Sequence, residues 1–260
     1  VTRINSAEAS TTDLGEWFAV SWLTPAMDRL FSDSAGTRRR FVDRLVVARD
    51  PVHSRHASRY EAALRERGRL LTNDRMPEAR WFAAVEAQLA QHGALVAAGR
   101  AALIDDLSGV LAGVPAEPFA RPDLALTGEG PRDAEGLAAA LAAGRPRDRA
   151  AGRTLIGPHR DDLLVRMAGT GMAAAQCSTG EQKALLIAIV LAHLDLALRD
   201  RPGLLLLDEV AAHLDPVRRA ALFDRLRTAR AQVWLTGTEL PPFSTCLLYT
   251  SDAADEEDSV

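Results

Sequence analysis

The sequence predicts an α/β fold in which a parallel sheet is built from the two ends of the chain and a helical lobe is inserted between them. Three observations carry this. Residues 204–207 are four consecutive leucines, too short for a helix and apolar enough for a strand buried on both faces. The leucine run lies between two helical patterns, 181–198 and 216–228, and a second apolar strand follows at 232–236, so strands and helices alternate. Residues 46–112, in contrast, carry helical periodicity alone.

Taken in order, residues 1–45 mix short apolar runs, such as Trp17-Phe18-Ala19-Val20-Ser21-Trp22-Leu23, with polar turns. They read as strands and loops that end in a basic helix start at 37–40. In the next stretch Tyr60, Leu64 and Leu71 fall near one helix face. Trp81, Val85, Leu89, Leu95, Ala98, Ala102 and Ile104 mark a second amphipathic helix, divided from the first at Met76-Pro77. Residues 113–152 are rich in Pro and Gly and read as a return connection rather than core, with a short helix near 134–143. A strand at 162–167 then leads into the alternating region. The expected division is 1–45 and 126–243 as the two parts of one lobe, with 46–125 as the helical lobe between them. Residues 244–260 continue no periodicity, resemble a translated library adapter, and are set apart as a non-native tail.

Composition narrows the class. With 260 residues, 47% hydrophobic and 25% charged, the chain can bury a substantial core, and collagen-like, disordered and disulfide-scaffold classes are excluded. No apolar run approaches the roughly 18 residues that cross a bilayer, so no membrane helix is expected. Cys177 and Cys246 make no disulfide framework and fit a reducing cytoplasm. All but one of the 31 basic residues are arginine, a bias that weakens arginine content as an argument for nucleic-acid binding. The formal charge of −4 depends on the acidic tail, Asp252, Asp255, Glu256, Glu257 and Asp258.

Three motifs carry chemistry. Leu204-Leu205-Leu206-Leu207-Asp208-Glu209 places two carboxylates at the C-terminal end of a strand, where open α/β sheets bind ligands. Asp208 there suits a hydrated Mg²⁺, and Glu209 an attacking water; an ordinary core strand with an acidic helix start fits equally. Ser178-Thr179-Gly180-Glu181-Gln182-Lys183 opens a long apolar helix. It reads either as a capping box between Ser178 and Glu181 or as a phosphate site at a helix N-terminus. Asp215-Pro216 is a helix start, preceded by His213 in a short loop.

The order and spacing of the three resemble the signature motif, Walker B and D-loop of ABC-type ATPases, within the P-loop NTPases. Thr154-Leu155-Ile156-Gly157-Pro158-His159-Arg160-Asp161-Asp162 and Cys177–Leu186 resemble the RecF family of bacterial recombinational repair proteins more narrowly. Leu23–Phe31 and Arg38-Arg39-Arg40-Phe41-Val42-Asp43-Arg44 add to that resemblance. It implies a partial ABC-type head with an inserted helical lobe, and a DNA-dependent ATPase as the full-length protein. The implied cofactors are ATP and Mg²⁺. Ser178, Thr179, Gly180, Gln182 and Asp215 would contact nucleotide across a homodimer, with Asp208 on the metal and Glu209 catalytic. Implied partners are double-stranded DNA beside single-stranded gaps, the mediators RecO and RecR, and RecA indirectly, in a bacterial cytoplasm. No Walker A loop, G-x-x-x-x-G-K-[ST], occurs, because the one lysine, Lys183, follows Gln182. The resemblance places that loop upstream of Val1, so the chain alone is expected neither to bind nor to hydrolyse ATP.

Ten arginines against four acidic residues between Arg38 and Arg69 suggest a basic face, with Arg38, Arg39, Arg40 and Arg44 as candidate DNA contacts. A solvated helix face is the ordinary alternative. Thr236 and Thr238 stand where many ABC ATPases carry a switch histidine, and either could touch the γ-phosphate side. Two rival readings use the same motifs: a DNA-binding relic without catalysis, and a transporter ATPase subunit.

Overall fold

The computed structural model describes residues 2–4, 7–9, 15, 17–73, 78–115, 117–199, 201–212 and 214–237. The readings at Met76-Pro77, His213, Thr238 and the 244–260 tail lie outside these residues. The strands are β1 (Thr2–Ile4), β2 (Ala7–Ala9), β3 (Ala19–Leu23), β4 (Pro122–Thr127), β5 (Asp162–Met167), β6 (Gly203–Asp208) and β7 (Gln232–Thr236). The helices are α1 (Ala35–Arg49), α2 (Val52–Thr72), α3 (Ala79–Ala112), α4 (Ala134–Ala151), α5 (Thr179–Ala197) and α6 (Pro216–Arg227).

The sheet that carries the site is parallel, in the order β3-β6-β7. Ala19 pairs with Gly203 at one end, and Leu207 with Leu235 at the other. Strand β6 therefore sits in the centre, and the Asp208-Glu209 pair emerges at the C-terminal edge of all three strands. A side chain on Gly203 would press on the carbonyl oxygen of Ala19, so that strand pair requires glycine there. Strands β4 and β5 form a separate antiparallel ribbon, and β1 and β2 another.

One face of the parallel sheet packs on α5. Fifteen residues of this helix are buried on all sides, as expected of a helix that is apolar all round. Ala19, Leu23, Leu205 and Leu207 from the sheet join Phe41, Val42 and Leu45 of α1 and Leu103, Leu107 and Leu111 of α3 in one continuous core. The leucine strand is not buried on both faces as its composition suggested. Leu204 is half-buried and Leu206 is 36% exposed, and Trp234 beside it is 61% exposed. Among the described residues, α5 covers only the other face.

A second apolar cluster joins Tyr60 and Ala63 of α2, Leu89 and Val96 of α3, and Leu137 and Leu141 of α4. The long α3 thus runs from one core into the other. Residues 113–152 are accordingly more than a connection. They supply β4, which the sequence reading did not see and through which its division at 125 passes. They also supply the full α4, which runs past Gly144 and Pro146. The stripe assigned to α3 is also out of phase. Trp81 and Leu95 are exposed, while Glu86 and Arg100 are buried among Phe82, Leu89, Val96 and Leu103.

His193 of α5 lies in the main core with no exposed surface, and its Nε2–H donates to the Leu45 carbonyl at 2.8 Å. Its Nδ1 has no hydrogen-bond partner. Burial pushes its pKa down to about 4. The unfolded chain therefore takes up this proton first, so stability is complete above the ordinary value near 6.5 and falls as pH drops toward 4. The loss expected from this group is about 3 kcal/mol across that window. Urea unfolding of the wild type and His193→Leu from pH 7 to 4 checks it: the variant should show a shallower pH slope, and equal slopes would assign the dependence elsewhere.

Candidate nucleotide-binding site

The two carboxylates sit where β6 runs out. Asp208 is exposed, and its Oδ1 accepts a hydrogen bond from the Thr236 hydroxyl at 2.5 Å. Thr236 thus holds Asp208 rather than reaching outward on its own. Glu209 departs from the strand with φ +51°, the only positive φ at a non-glycine residue among those described. A conformation of this kind costs on the order of 1–3 kcal/mol and persists only where its surroundings enforce it. Here they do. The Glu209 N–H donates to the Thr236 carbonyl at 3.2 Å, extending the ladder to β7 by one bond. The Glu209 carbonyl accepts from the Ala212 N–H and from the Lys183 ammonium, each at 3.2 Å.

The α5 N-terminus realises the capping box. The Ser178 side chain caps the Glu181 N–H at 3.4 Å, and the Ser178 N–H and hydroxyl both donate to Glu181 Oε2 at 2.8 Å. The Ser178 hydroxyl, with its backbone N–H, holds the Glu181 carboxyl below the usual carboxylate range. Thr179 is exposed and Gly180 half-buried in the first turn. Gln182 does not face outward with them: it is buried, and its amide donates to the Cys177 carbonyl at 2.9 Å. In this structure the Gln182 side chain thus serves the loop before the helix. Cys177 is itself buried, and desolvation raises its thiol pKa, which suits packing rather than reactivity. Asp215 caps α6, its Oδ1 accepting from the Val217 and Arg218 N–H groups at 3.0 Å. These backbone N–H groups, Arg218 first, lower its pKa.

Two residues here went unassigned in the sequence. Lys183 is buried and lies 3.5 Å from Asp28 as well as bonded to Glu209. No local pattern marks either partner, because the contacts cross from α5 to the short turn at Pro25–Arg29 and to the end of β6.

The arginines divide differently from the expected basic face. Arg38 makes a two-pronged pair with Asp162, both contacts at 2.7 Å, and donates to the Asp33 carbonyl. Arg44 lies 4.5 Å over the Trp22 ring, and burial lowers its pKa to about 10. Both are half-buried and engaged within the fold. Arg67 is wholly buried. Arg39 donates to the Asp161 carbonyl at 2.7 Å, and burial followed by the nearby Arg100 lowers its pKa. Arg40 and Arg160 remain exposed.

The Gly157–Asp162 segment is a junction between the lobes. Tyr60 of α2 meets His159 Nδ1 at 2.6 Å, Arg100 of α3 donates to the Pro158 carbonyl at 2.7 Å, and α1 reaches Asp161 and Asp162 through Arg39 and Arg38. Gly157 adopts φ +125° and packs against the Tyr60 hydroxyl, a place that admits no side chain.

Comparison with known proteins decides the family. The chain is 49% identical over 258 residues to the DNA replication and repair protein RecF of Mesorhizobium japonicum, and 47% identical over 254 residues to that of Rhizobium rhizogenes. The alignments cover 94% and 93% of this chain and 68% of each relative. The chain belongs to the RecF family. No family model matches it. Two solved structures share its fold: a recombination mediator RecF with ATPrS at TM-score 0.76, and one with ATP at 0.72, each 18% identical. The first covers 91% of this chain and 67% of that one. The chain thus shares the α/β fold of those RecF structures, with a helical lobe inserted between its two ends. Among the described residues no helix is long and apolar enough to cross a membrane.

Proposed function

We propose that this RecF chain contributes the signature, Walker B and D-loop half of an ATP-dependent DNA-binding protein of replication and recombinational repair. The observation that carries the reading is the adjacent pair Asp208 and Glu209 at the C-terminal edge of β6, Asp208 exposed and Glu209 half-buried, within a RecF sequence. Asp208 suits Mg²⁺: it is exposed, and only one of its oxygens has a hydrogen-bond partner among the described residues. No three His, Cys, Asp or Glu converge among those residues, so a metal held there relies on phosphate oxygens and water, as Mg²⁺ does. Bound Mg²⁺ would neutralise the charge developing on the phosphates. Glu209 would orient and deprotonate the attacking water. Ser178, Thr179 and Gly180 would face the γ-phosphate held by a second copy's Walker A loop, the Ser178 hydroxyl turning from Glu181 toward it. Asp215 would approach the same interface. The resulting head-to-tail homodimer would clamp gapped DNA and, with RecO and RecR, promote RecA loading.

Duplex contact falls to the exposed Arg40 and Arg160, with the half-buried Arg39 close enough to Arg160 to feel its charge. In the full-length protein, ATP with Mg²⁺ should convert monomer to dimer in sedimentation and tighten binding to gapped DNA. Affinity should fall steeply with salt, and Arg40→Ala and Arg160→Ala should each reduce the salt slope by about 1. A monomer under saturating ATP, with DNA binding indifferent to nucleotide, would defeat the reading.

A further inference from the structure

We infer that Lys183 is a positioning residue for Glu209, coupling the signature helix to the Walker B turn within one subunit. The inference rests on the reading of Glu209 as the group that acts on the attacking water.

Glu209 leaves the strand in the left-handed region, which its side chain disfavours. Its N–H is fixed by the Thr236 carbonyl of β7, and its carbonyl must turn away from the sheet to meet the Ala212 N–H. The ammonium of Lys183 donates to that same carbonyl at 3.2 Å. Lys183 is 4% exposed, and the chain holds no other lysine. A buried ammonium is stable only where oxygen surrounds it, and Asp28 Oδ2 at 3.5 Å supplies the opposing charge. The arrangement is therefore directional. Asp28 holds the ammonium and the ammonium holds the Glu209 carbonyl. With the N–H fixed by Thr236 and the carbonyl fixed by Lys183, both backbone dihedrals of Glu209 are set, and with them the direction of its Cα–Cβ bond.

The other end of this linkage is the α5 N-terminus. Lys183 stands five residues after the Ser178 cap, on a helix buried along its length. A shift of that first turn when phosphate replaces Glu181 at Ser178 would be carried through Lys183 to the Glu209 backbone. The subunit that senses the γ-phosphate at its signature would thereby adjust its own Walker B glutamate, which serves the other nucleotide of the sandwich.

The test compares Lys183→Met, Lys183→Arg and Glu209→Gln in the full-length protein, reading kcat and KM for ATP and amide exchange of residues 208–212. Lys183→Met should lower kcat about tenfold through misplacement, with KM within about twofold, and should speed exchange at Ala212. Lys183→Arg should recover kcat to within about threefold, since a guanidinium also donates to the carbonyl and pairs with Asp28. A folded Lys183→Met protein with wild-type kcat and unchanged exchange overturns the inference, as do equal losses in the Met and Arg variants. Should Lys183→Met not fold, Asp28→Asn is expected to lower kcat about threefold with KM unchanged, and a wild-type kcat there overturns it too. Glu209→Gln at the wild-type rate would instead remove Glu209 from the reaction. In that event the coupling to catalysis falls with it, whatever the exchange shows.

Discussion

Glu209→Gln in the full-length protein is expected to slow ATP hydrolysis by about a hundredfold or more, the share usually supplied by a positioned general base. The amide keeps the size of the carboxylate and can still orient a water, but it cannot accept the water's proton. Nothing in the backbone arrangement depends on the charge. The Glu209 N–H and carbonyl are held by Thr236, Ala212 and Lys183 whatever the side chain carries. KM for ATP should accordingly stay near wild type, because the lost interaction belongs to the transition state. Dimers formed with ATP should also persist, since the event that dissolves them is delayed. Single-turnover hydrolysis and dimer lifetime by sedimentation or light scattering read the two effects together. Hydrolysis at the wild-type rate would assign the water to another group.

Much of this site was legible in one dimension, and the reasons are local. The Asp208-Glu209 pair follows a leucine run whose strand begins and ends within one residue of its apolar bounds. Ser178 and Asp215 announce helix starts because caps are written in the residue types that bond the first free N–H groups. The same property made them ambiguous, and the structure shows both of them capping.

What the sequence hid depends on partners far away along the chain. The phase of α3 was misread because Glu86 and Arg100 look like surface residues until Arg67, Arg145 and Asp43 are brought to them. The length of α4 was underestimated because Pro146 suggests an end. Leu137 and Leu141 before it and Asp148 after it are all buried, and that packing outweighs the missing N–H. Strand β4 was missed because its apolar alternation, Leu124 and Leu126, is short and follows Pro118 and Pro122. Its strand character comes from pairing with β5 some forty residues later. Arg38 and Arg67 counted as positive surface for the same reason, since neither Asp162 nor Asp148 is near them in sequence.

Arg67 therefore supports the largest stability effect expected in the helical lobe. Its guanidinium is fully buried and every arm has a partner: Glu86 at 3.0 Å, Asp148 at 2.6 Å, the Thr154 hydroxyl at 2.8 Å and the Leu141 carbonyl at 2.8 Å. Arg145 closes the group on Glu86, and Asp148 also caps the Leu155 N–H at 3.1 Å. Two arginines thus balance two carboxylates at the meeting of α2, α3, α4 and the approach to Gly157. Arg67→Met would leave Asp148 buried beside apolar surface with no opposing charge, at a cost of about 3–5 kcal/mol. Arg67→Lys should recover little of this, because a single ammonium cannot reach four acceptors set in a fork. Arg67→Met combined with Asp148→Asn should regain a large part, because the uncompensated charge goes with its partner and Arg145 still satisfies Glu86. Urea unfolding of the wild type, Arg67→Met, Arg67→Lys, Asp148→Asn and the double variant separates the cases. If the double variant is as unstable as the sum of its single substitutions, the network's charges act independently and the coupling described here does not exist.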